Sequence, residues 1–291
     1  MFEKWNATQL CWCKSGKKYG ECHQKIEDKI REFKKQGCMV PTRKLLKTPE
    51  QIEGIRESGK LNIAVLDYVA EHIQAGMSTE AINTLVHDKI LELGGIPAPL
   101  NFEGFPKSVC TSINNQICHG IPSEDMILGV GDIINVDVST IYKGYFSDSS
   151  RMFCIGEVSE ENRKLVQTAK ECVLLALEEV KPWKFMGDLG AVITKHAYAN
   201  GYSVVQEVGG HGVGLKFHEK PTIMYVTRKN TGMLLVPGMV FTIEPMINMG
   251  THEIYIDDDN GWTIYTDDDK PSAQWEVTIV VTEKGYEILA C

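Results

Sequence analysis

Four carboxylates and one histidine occur in the order Asp137, Asp148, His211, Glu244 and Glu276, in settings where a lone charge is hard to place. Asp137 lies between Val136 and Val138 in NVDVS, Glu244 closes the apolar run FTIEP, and Glu276 interrupts QWEVTIVV. A charge in such surroundings is expensive unless it is paired or bound to a cation. Singly, each position has an ordinary explanation: a solvated hairpin aspartate, a histidine in a glycine turn, a glutamate in a buried salt bridge. As a set they constrain the fold, because distant segments must converge on shared positive charge. Clustered carboxylates raise one another's pKa values. Two divalent ions about 3.5–4 Å apart would satisfy them and activate water for hydrolysis. An oxygen-rich set with one nitrogen and no sulfur suits Mn, Fe or Co, with Zn also compatible.

The aspartates carry the best local argument. Residues 133–141 (IINVDVSTI) are rich in Ile, Val and Thr and read as a strand, and 145–155 (YFSDSSRMFCI) as its return, with Lys143-Gly144 at the turn. An even-length loop puts odd positions of one strand on the same face as even positions of the other. Asp137 and Asp148 then project together, opposite or diagonally adjacent. His211 lies among glycines 209, 210, 212 and 214, where missing side chains permit close approach to an ion or substrate. No Gly-Lys-Ser/Thr follows, so this is not a phosphate loop. Pro245 biases Glu244 to an extended backbone.

The 291 residues, 43% of them hydrophobic, suffice for a catalytic unit of about 250 residues. No apolar run reaches the roughly 18 residues of a membrane span. Apolar spacing predicts helices over 49–75, 78–93 from a Ser78/Thr79 cap, 159–180 from Ser159, and 187–200. The acidic clusters at 257–259 and 267–269 read as solvated loop tips around Trp262.

The first forty residues differ in character. In CWCKSGKKYGECH, Cys11, Cys13, Cys22 and His23 supply three thiols and an imidazole, the donor set of a tetrahedral structural zinc site. Residues 1–47 hold 12 basic and 5 acidic side chains, a balance of +7, which leaves −16 for the rest of a chain of net charge −9. With Trp5, Trp12, Tyr19 and Phe33 nearby, this segment reads equally as a basic surface for RNA or an acidic protein and as a solvated tail around a zinc ion.

The strings PKSVCTSIN (106–114), ICHGIP (117–122), INVDVS, GYFSDSSRMF, GGHGVG, FHEKP (217–221), FTIEPM and SAQWEVTIVVT (272–282) resemble those of type I methionine aminopeptidase. The resemblance covers about residues 41–291, and PTRKLLKTPEQIEGIRESGK (41–60) is similar to the usual entry into that catalytic domain. It implies an α+β pita-bread fold, a pseudo-twofold antiparallel sheet covered by helices. Asp137, Asp148, His211, Glu244 and Glu276 are implied as ligands of two divalent ions, and Glu244 also as general base. His218 is implied to stabilise the oxyanion and His119 to contact the scissile amide. Phe102, Phe105, Cys110, Phe217 and Trp262 fall at or beside pocket positions. Tyrosine is common in the family where Phe102 and Phe105 stand, some members carry Cys at Pro99 and some His at Val277. These departures bear on pocket shape more than on chemistry.

The implied activity is removal of the initiator methionine from nascent chains when the second residue is small, by a cytoplasmic monomer. The string CWCKSGKKYGECH (11–23) is similar to the SEC-C motif, a small zinc-binding module. The expected organisation is therefore a zinc module and linker over 1–40 and a catalytic domain over 41–291. Neither a signal peptide nor an extracellular family supports a disulfide cluster. The expected partner of the module is the ribosome or a translation or export factor. A proline-specific pita-bread peptidase and a binding protein without catalysis are the alternatives.

Overall fold

The computed structural model describes residues 5–291, so residues 1–4 of the N-terminal segment lie outside it. Five α-helices are numbered along the chain: α1 Gln24–Lys35, α2 Pro49–His72, α3 Thr79–Glu92, α4 Glu160–Glu179 and α5 Gly187–Ala199. The starts of α2 to α4 follow from local chemistry. Thr48 and Gln51 form a reciprocal capping box ahead of α2, with Pro49 in the first turn. Ser78 accepts from the Ala81 N–H at 3.0 Å, and Ser159 from that of Asn162 at 3.1 Å. Each hydroxyl thereby satisfies an N–H that the helix itself leaves without a partner. Helix α2 ends at His72 rather than at residue 75.

Fifteen strands, also numbered along the chain, form four antiparallel sheets among the described residues. In the first, β4 (Ile133–Tyr142) is flanked by β5 (Tyr145–Cys154) on one side, and by β1 (Ile96–Pro97) and β2 (Cys110–Ile113) on the other. The largest has the order β15 (Tyr286–Ala290), β14 (Val277–Val281), β9 (Val240–Ile243), β7 (Gly210–Gly212), β8 (Glu219–Ile223). Two smaller sheets join β13 (Ser272–Gln274), β10 (Met246–Asn248) and β6 (Ser203–Val204), and β11 (Ile254–Ile256), β12 (Ile264–Thr266) and β3 (Gln116–Cys118).

Helices α2 and α3 cover the β4–β5 hairpin, burying Val65, Leu66, Val86 and Ile90 against Ile134, Val136 and Val138. Helices α4 and α5 cover the other half, with Leu165, Cys172, Leu189 and Ile193 against Phe241, Ile243 and Ile279. Each half is thus a helix pair on antiparallel strands, the α+β pita-bread arrangement. The predicted hairpin forms with a two-residue turn in which Lys143 (φ 51°) and Gly144 (φ 83°) are both left-handed. This turn matches the twist of paired strands.

Helix α1 was not anticipated from the sequence. Its Ile30 is fully buried, and Ile26 and Phe33 pack on the same core as α4 and α5. Phe33 also stacks on Trp183 at 6.2 Å. Trp5, Trp12, Tyr19 and Phe33 are therefore engaged internally. Tyr19 is buried, its hydroxyl donating to Glu27, and the Trp12 indole N–H donates to the same carboxylate, each at 2.8 Å. Arg43 lies over the Trp5 and Trp12 rings. Those rings are not offered for base stacking, whereas Lys14, Lys17, Lys18, Lys25, Lys34 and Lys35 are exposed.

Candidate active site and metal centres

Residue 137 on β4 lies opposite Ser150, and residue 148 on β5 opposite Ser139. Asp137 and Asp148 are therefore diagonal neighbours on one face, as the two-residue turn requires. His211 is the middle residue of β7, Glu244 follows β9 directly, and Glu276 occupies the short break between β13 and β14. All five side chains line one cavity of about 340 Å³. Donor atoms of Asp148, His211 and Glu276 lie within 4.8 Å of one another. His211 Nε2 stands 3.6 Å from Asp148 Oδ2 and 3.7 Å from Glu244 Oε1.

A surrounding layer of hydrogen bonds orients these groups. His211 Nδ1 donates to the Gly212 carbonyl at 3.0 Å, since a carbonyl can only accept. That bond leaves the Nε2 lone pair aimed at the carboxylates, the tautomer a metal ligand needs. Thr242 Oγ1 accepts from the His211 N–H at 2.9 Å and donates to Glu244 Oε1 at 2.6 Å. Gln274 donates to Glu244 Oε2 at 3.1 Å, and Ser139 to Asp148 Oδ1 at 2.7 Å. Tyr225 OH accepts from the Glu244 N–H at 2.7 Å.

Asp137 Oδ1 and Glu276 Oε1 are buried without a hydrogen-bond partner. Burial, then the Asp148 charge, pushes Asp137 far above the usual carboxylate range, and burial pushes Asp148 and Glu244 up to about 7. Glu276 is raised by burial and then by Asp148 and Glu244. Orphaned carboxylate oxygens whose ionisation the protein alone opposes fit divalent cations, which supply the missing charge and coordination.

Two further histidines border the cavity. His119 has a left-handed backbone (φ 56°), a strain that a non-glycine residue bears where its surroundings fix it. Burial, then the nearby His211, lowers its pKa to about 4. The His218 ring lies 4.3 Å from that of His211. Although it opens onto the cavity, the surrounding protein and then His211 and His119 push its pKa down. Both imidazoles are therefore neutral at pH 7 and each has one N–H to donate. Phe102, Phe105, Cys110, Phe217 and Trp262 line the same cavity. Their rings meet edge-on, Phe102 with Phe217 at 4.9 Å and Phe105 with Trp262 at 5.2 Å, a geometry aromatic pairs favour.

The sequence did not single out Thr242, Ser139, Gln274, Tyr225 or Glu103. The first four are polar residues in strand-like runs, whose role depends on what the fold sets beside them. Glu103 lines the cavity with φ 49°, and no motif marked it. The glycines beside His211 have a packing reason that the sequence did not show. A Cβ on Gly210 would lie 2.6 Å from the Thr242 carbonyl, and one on Gly212 would strike that of Lys220. They permit close strand packing, and Gly209 and Gly210 also line the cavity itself.

The second cluster is compact. Cys11 Sγ and Cys22 Sγ each lie 3.2 Å from His23 Nδ1, and Cys13 Sγ lies 3.6 Å from Cys22 Sγ. All four donor atoms are within 4.8 Å of one another. Zn–S bonds of about 2.3 Å and Zn–N bonds of about 2.0–2.1 Å place tetrahedral ligands roughly 3.5–3.8 Å apart, close to this spacing. The nine cysteines are all free.

Known proteins resemble the chain in both regions. The description "Metallopeptidase family M24" matches residues 53–283, and "SEC-C motif" residues 8–25. "Methionine aminopeptidase A" of Synechocystis sp. is 50% identical over 239 residues, 82% of this chain and 94% of that protein. "Methionine aminopeptidase" of Chlamydia pneumoniae is 43% identical over 283 residues, 96% of each chain, so that similarity extends through the N-terminal segment. The crystal structure of methionine aminopeptidase from Rickettsia prowazekii superposes with a TM-score of 0.83 at 41% identity, covering 87% of this chain and all of that one.

Proposed function

Since the chain belongs to metallopeptidase family M24, within its methionine aminopeptidases, we propose that it removes initiator methionine from nascent chains whose second residue is small, by dinuclear-metal hydrolysis. The observation that carries this is the convergence of five oxygen and nitrogen donors, two neutral histidines and an aromatic pocket on one cavity. Asp137, Asp148, His211, Glu244 and Glu276 would hold two divalent ions (Mn, Fe or Co, with Zn compatible). When bound, these ions supply Lewis acidity and bring the pKa of water toward neutrality.

The chain's own residues do the rest. Glu244, held by Thr242 and Gln274, accepts the proton of the attacking water. His218 donates its N–H to the oxygen on which charge develops, where a preorganised donor in a water-poor site is worth most. His119 donates toward the scissile amide and orients the first peptide bond. Phe102, Phe105, Cys110, Phe217 and Trp262 take the methionine side chain, since aromatic edges and a soft sulfur complement a thioether. Cys11, Cys13, Cys22 and His23 hold one structural zinc. Residues 1–40 form the module and 41–291 the catalytic domain. The exposed lysines of the module dock the enzyme on the ribosome or a translation or export factor, as a cytoplasmic monomer. Among the described residues no helix is long and apolar enough to cross a membrane.

The direct test incubates purified protein with Mn or Co and three peptides: Met-Ala-Ser, a Met peptide with a bulky second residue, and an Xaa-Pro peptide. Release of Met from Met-Ala-Ser alone is expected. Intact Met-Ala-Ser refutes the activity, and preferential Xaa-Pro cleavage assigns the site to a proline-specific enzyme. For docking, co-sedimentation with ribosomes should weaken as salt rises. Association unchanged after deletion of residues 1–40 rules the module out as its carrier.

A further inference from the structure

Lys47 enters the catalytic half from the N-terminal side, and its side chain is only 2% exposed. Its ammonium meets Glu219 Oε2 at 2.5 Å. The other oxygen of that carboxylate, Oε1, accepts the backbone N–H groups of Leu215 at 2.7 Å and Lys216 at 3.0 Å. The Gly214 N–H bonds to the Lys216 carbonyl at 3.1 Å, and the Gly214 carbonyl accepts from the Phe146 N–H at 2.8 Å. Together these bonds close a tight turn over 214–219, and the turn carries Phe217 and His218. Lys47 is itself anchored, its backbone N–H donating to the Gly238 carbonyl at 2.8 Å next to the Leu46–Met239 bridge.

Beyond these bonds the turn is tied through its rings, with Phe217 packed on Phe102, Phe146 and His211. Leu215, Lys216 and His218 are exposed, and among residues 215–218 only Phe217 is buried. The His218 ring stacks on Phe217 at 4.5 Å, meets the His211 and Phe102 rings edge-on at 4.3 and 5.1 Å, and rests on the backbone beneath it. That backbone position depends on a carboxylate shared between two N–H groups and one buried ammonium. Without the ammonium, the Glu219 carboxylate stands half-buried with no counter-charge beside it and gains from swinging toward water. The swing would release both N–H groups and the turn with them.

We propose that Lys47 is a positioning residue for the reaction: through Glu219 it holds the 214–219 turn so that the His218 N–H meets the developing oxyanion. The proposal rests on the reading of His218 as that donor. It assigns to the N-terminal approach segment a part in catalysis separate from the zinc cluster.

The test is a double-mutant cycle of Lys47→Met and His218→Ala in the metal-loaded enzyme with Met-Ala-Ser. Lys47→Met should lower kcat roughly ten- to hundredfold, the usual range for loss of a supporting partner, with a much smaller change in KM. In the His218→Ala background the same substitution should cost little more, because the group it positions is gone. Lys47→Arg should restore part of kcat. Hydrogen exchange at the Leu215 and Lys216 amides should speed up in Lys47→Met, while metal content stays unchanged. If Lys47→Met does not fold, Glu219→Gln should reproduce the pattern. Wild-type kcat in Lys47→Met, or equal losses in both backgrounds, overturns this proposal alone. Wild-type turnover in His218→Ala overturns the oxyanion role and this proposal together.

Discussion

Glu27 is the residue whose loss should tell most about how the Cys11, Cys13, Cys22 and His23 cluster is joined to the rest of the chain. Its side chain is fully buried and accepts four hydrogen bonds. They come from the Trp12 indole and the Tyr19 hydroxyl, each at 2.8 Å, and from Arg43 Nε and Nη2, each at 2.9 Å. In Glu27→Ala the two neutral donors each lose about 1 kcal/mol, and the charge-assisted pair from Arg43 accounts for more. Breaking a buried ion pair by removing one partner costs about 3–5 kcal/mol, and the four bonds together sum to that range. Ile30, one helical turn on, is buried in the core that α4 and α5 share, so the loss should reach the whole fold. At about 2–4 °C per kcal/mol for a chain of this size class, Tm should fall by roughly 6–20 °C. Zinc should be held less tightly, because Trp12 and Tyr19 wall the cluster. The assay is calorimetry with zinc analysis of the wild type, Glu27→Ala and Glu27→Gln. A single transition at the wild-type temperature with full zinc would refute the reasoning. A separate low-temperature transition would show that the segment unfolds on its own.

Glu244→Gln should lower kcat about 10²–10⁴-fold, the range for losing a general base, with thermal unfolding of the metal-loaded protein checking that the fold persists. His218→Ala should cost about 10²–10³-fold in kcat, as loss of an oxyanion donor does elsewhere; wild-type turnover in steady-state assays would remove it from the mechanism. Adding Mn at about 100 times its Kd to metal-free protein should stabilise it by about 2.7 kcal/mol, read as a rise in Tm that chelator reverses. Without metal the pH trend should run the unusual way. Burial raises Asp148 and Glu244 to about 7, so their contribution is full below the unfolded carboxylate range and is lost as pH rises through about 7. Metal-free Tm should therefore be higher at pH 6 than at pH 8, and an opposite slope in calorimetry would contradict the raised carboxylates. Cys11→Ser with Cys13→Ser should release one zinc while turnover of Met-Ala-Ser persists; equal loss of cleavage would show that the zinc site and the catalytic centre depend on one another.

What the sequence made legible was what is written in short-range pattern. The caps at Ser78 and Ser159 rest on bonds to N–H groups three residues on. The Lys143-Gly144 turn fixed the register that sets Asp137 and Asp148 on one face. The reading of the five positions as metal donors had a different ground. A carboxylate in an apolar strand is a local contradiction, and the contradiction is visible before its resolution is. Thr242, Gln274 and Ser139 carry no such contradiction. Their hydroxyls and amide are ordinary in strands, and only the fold shows that they hold Glu244 and Asp148.

Helix α1 marks the opposite case. Its sequence, QKIEDKIREFKK, has few apolar residues among many charges, and in isolation it reads as a solvated linker. Ile26, Ile30 and Phe33 nevertheless fall at helical spacing and pack on one core. Glu27, on the same helix, reads as one more surface charge, yet it is the buried acceptor for Trp12, Tyr19 and Arg43. The segment's net charge of +7 therefore conceals two populations. Arg43 is spent inside on Glu27 and Lys47 on Glu219, whereas Lys14, Lys17, Lys18, Lys25, Lys34 and Lys35 face solvent. Only the second population can meet a partner. With Trp5, Trp12, Tyr19 and Phe33 engaged internally, a partner of the kind proposed would be recognised by charge, through phosphate or carboxylate groups, rather than by stacking. Its binding should then follow the salt dependence of counterion release, and substitutions of the exposed lysines should weaken it without disturbing Tm.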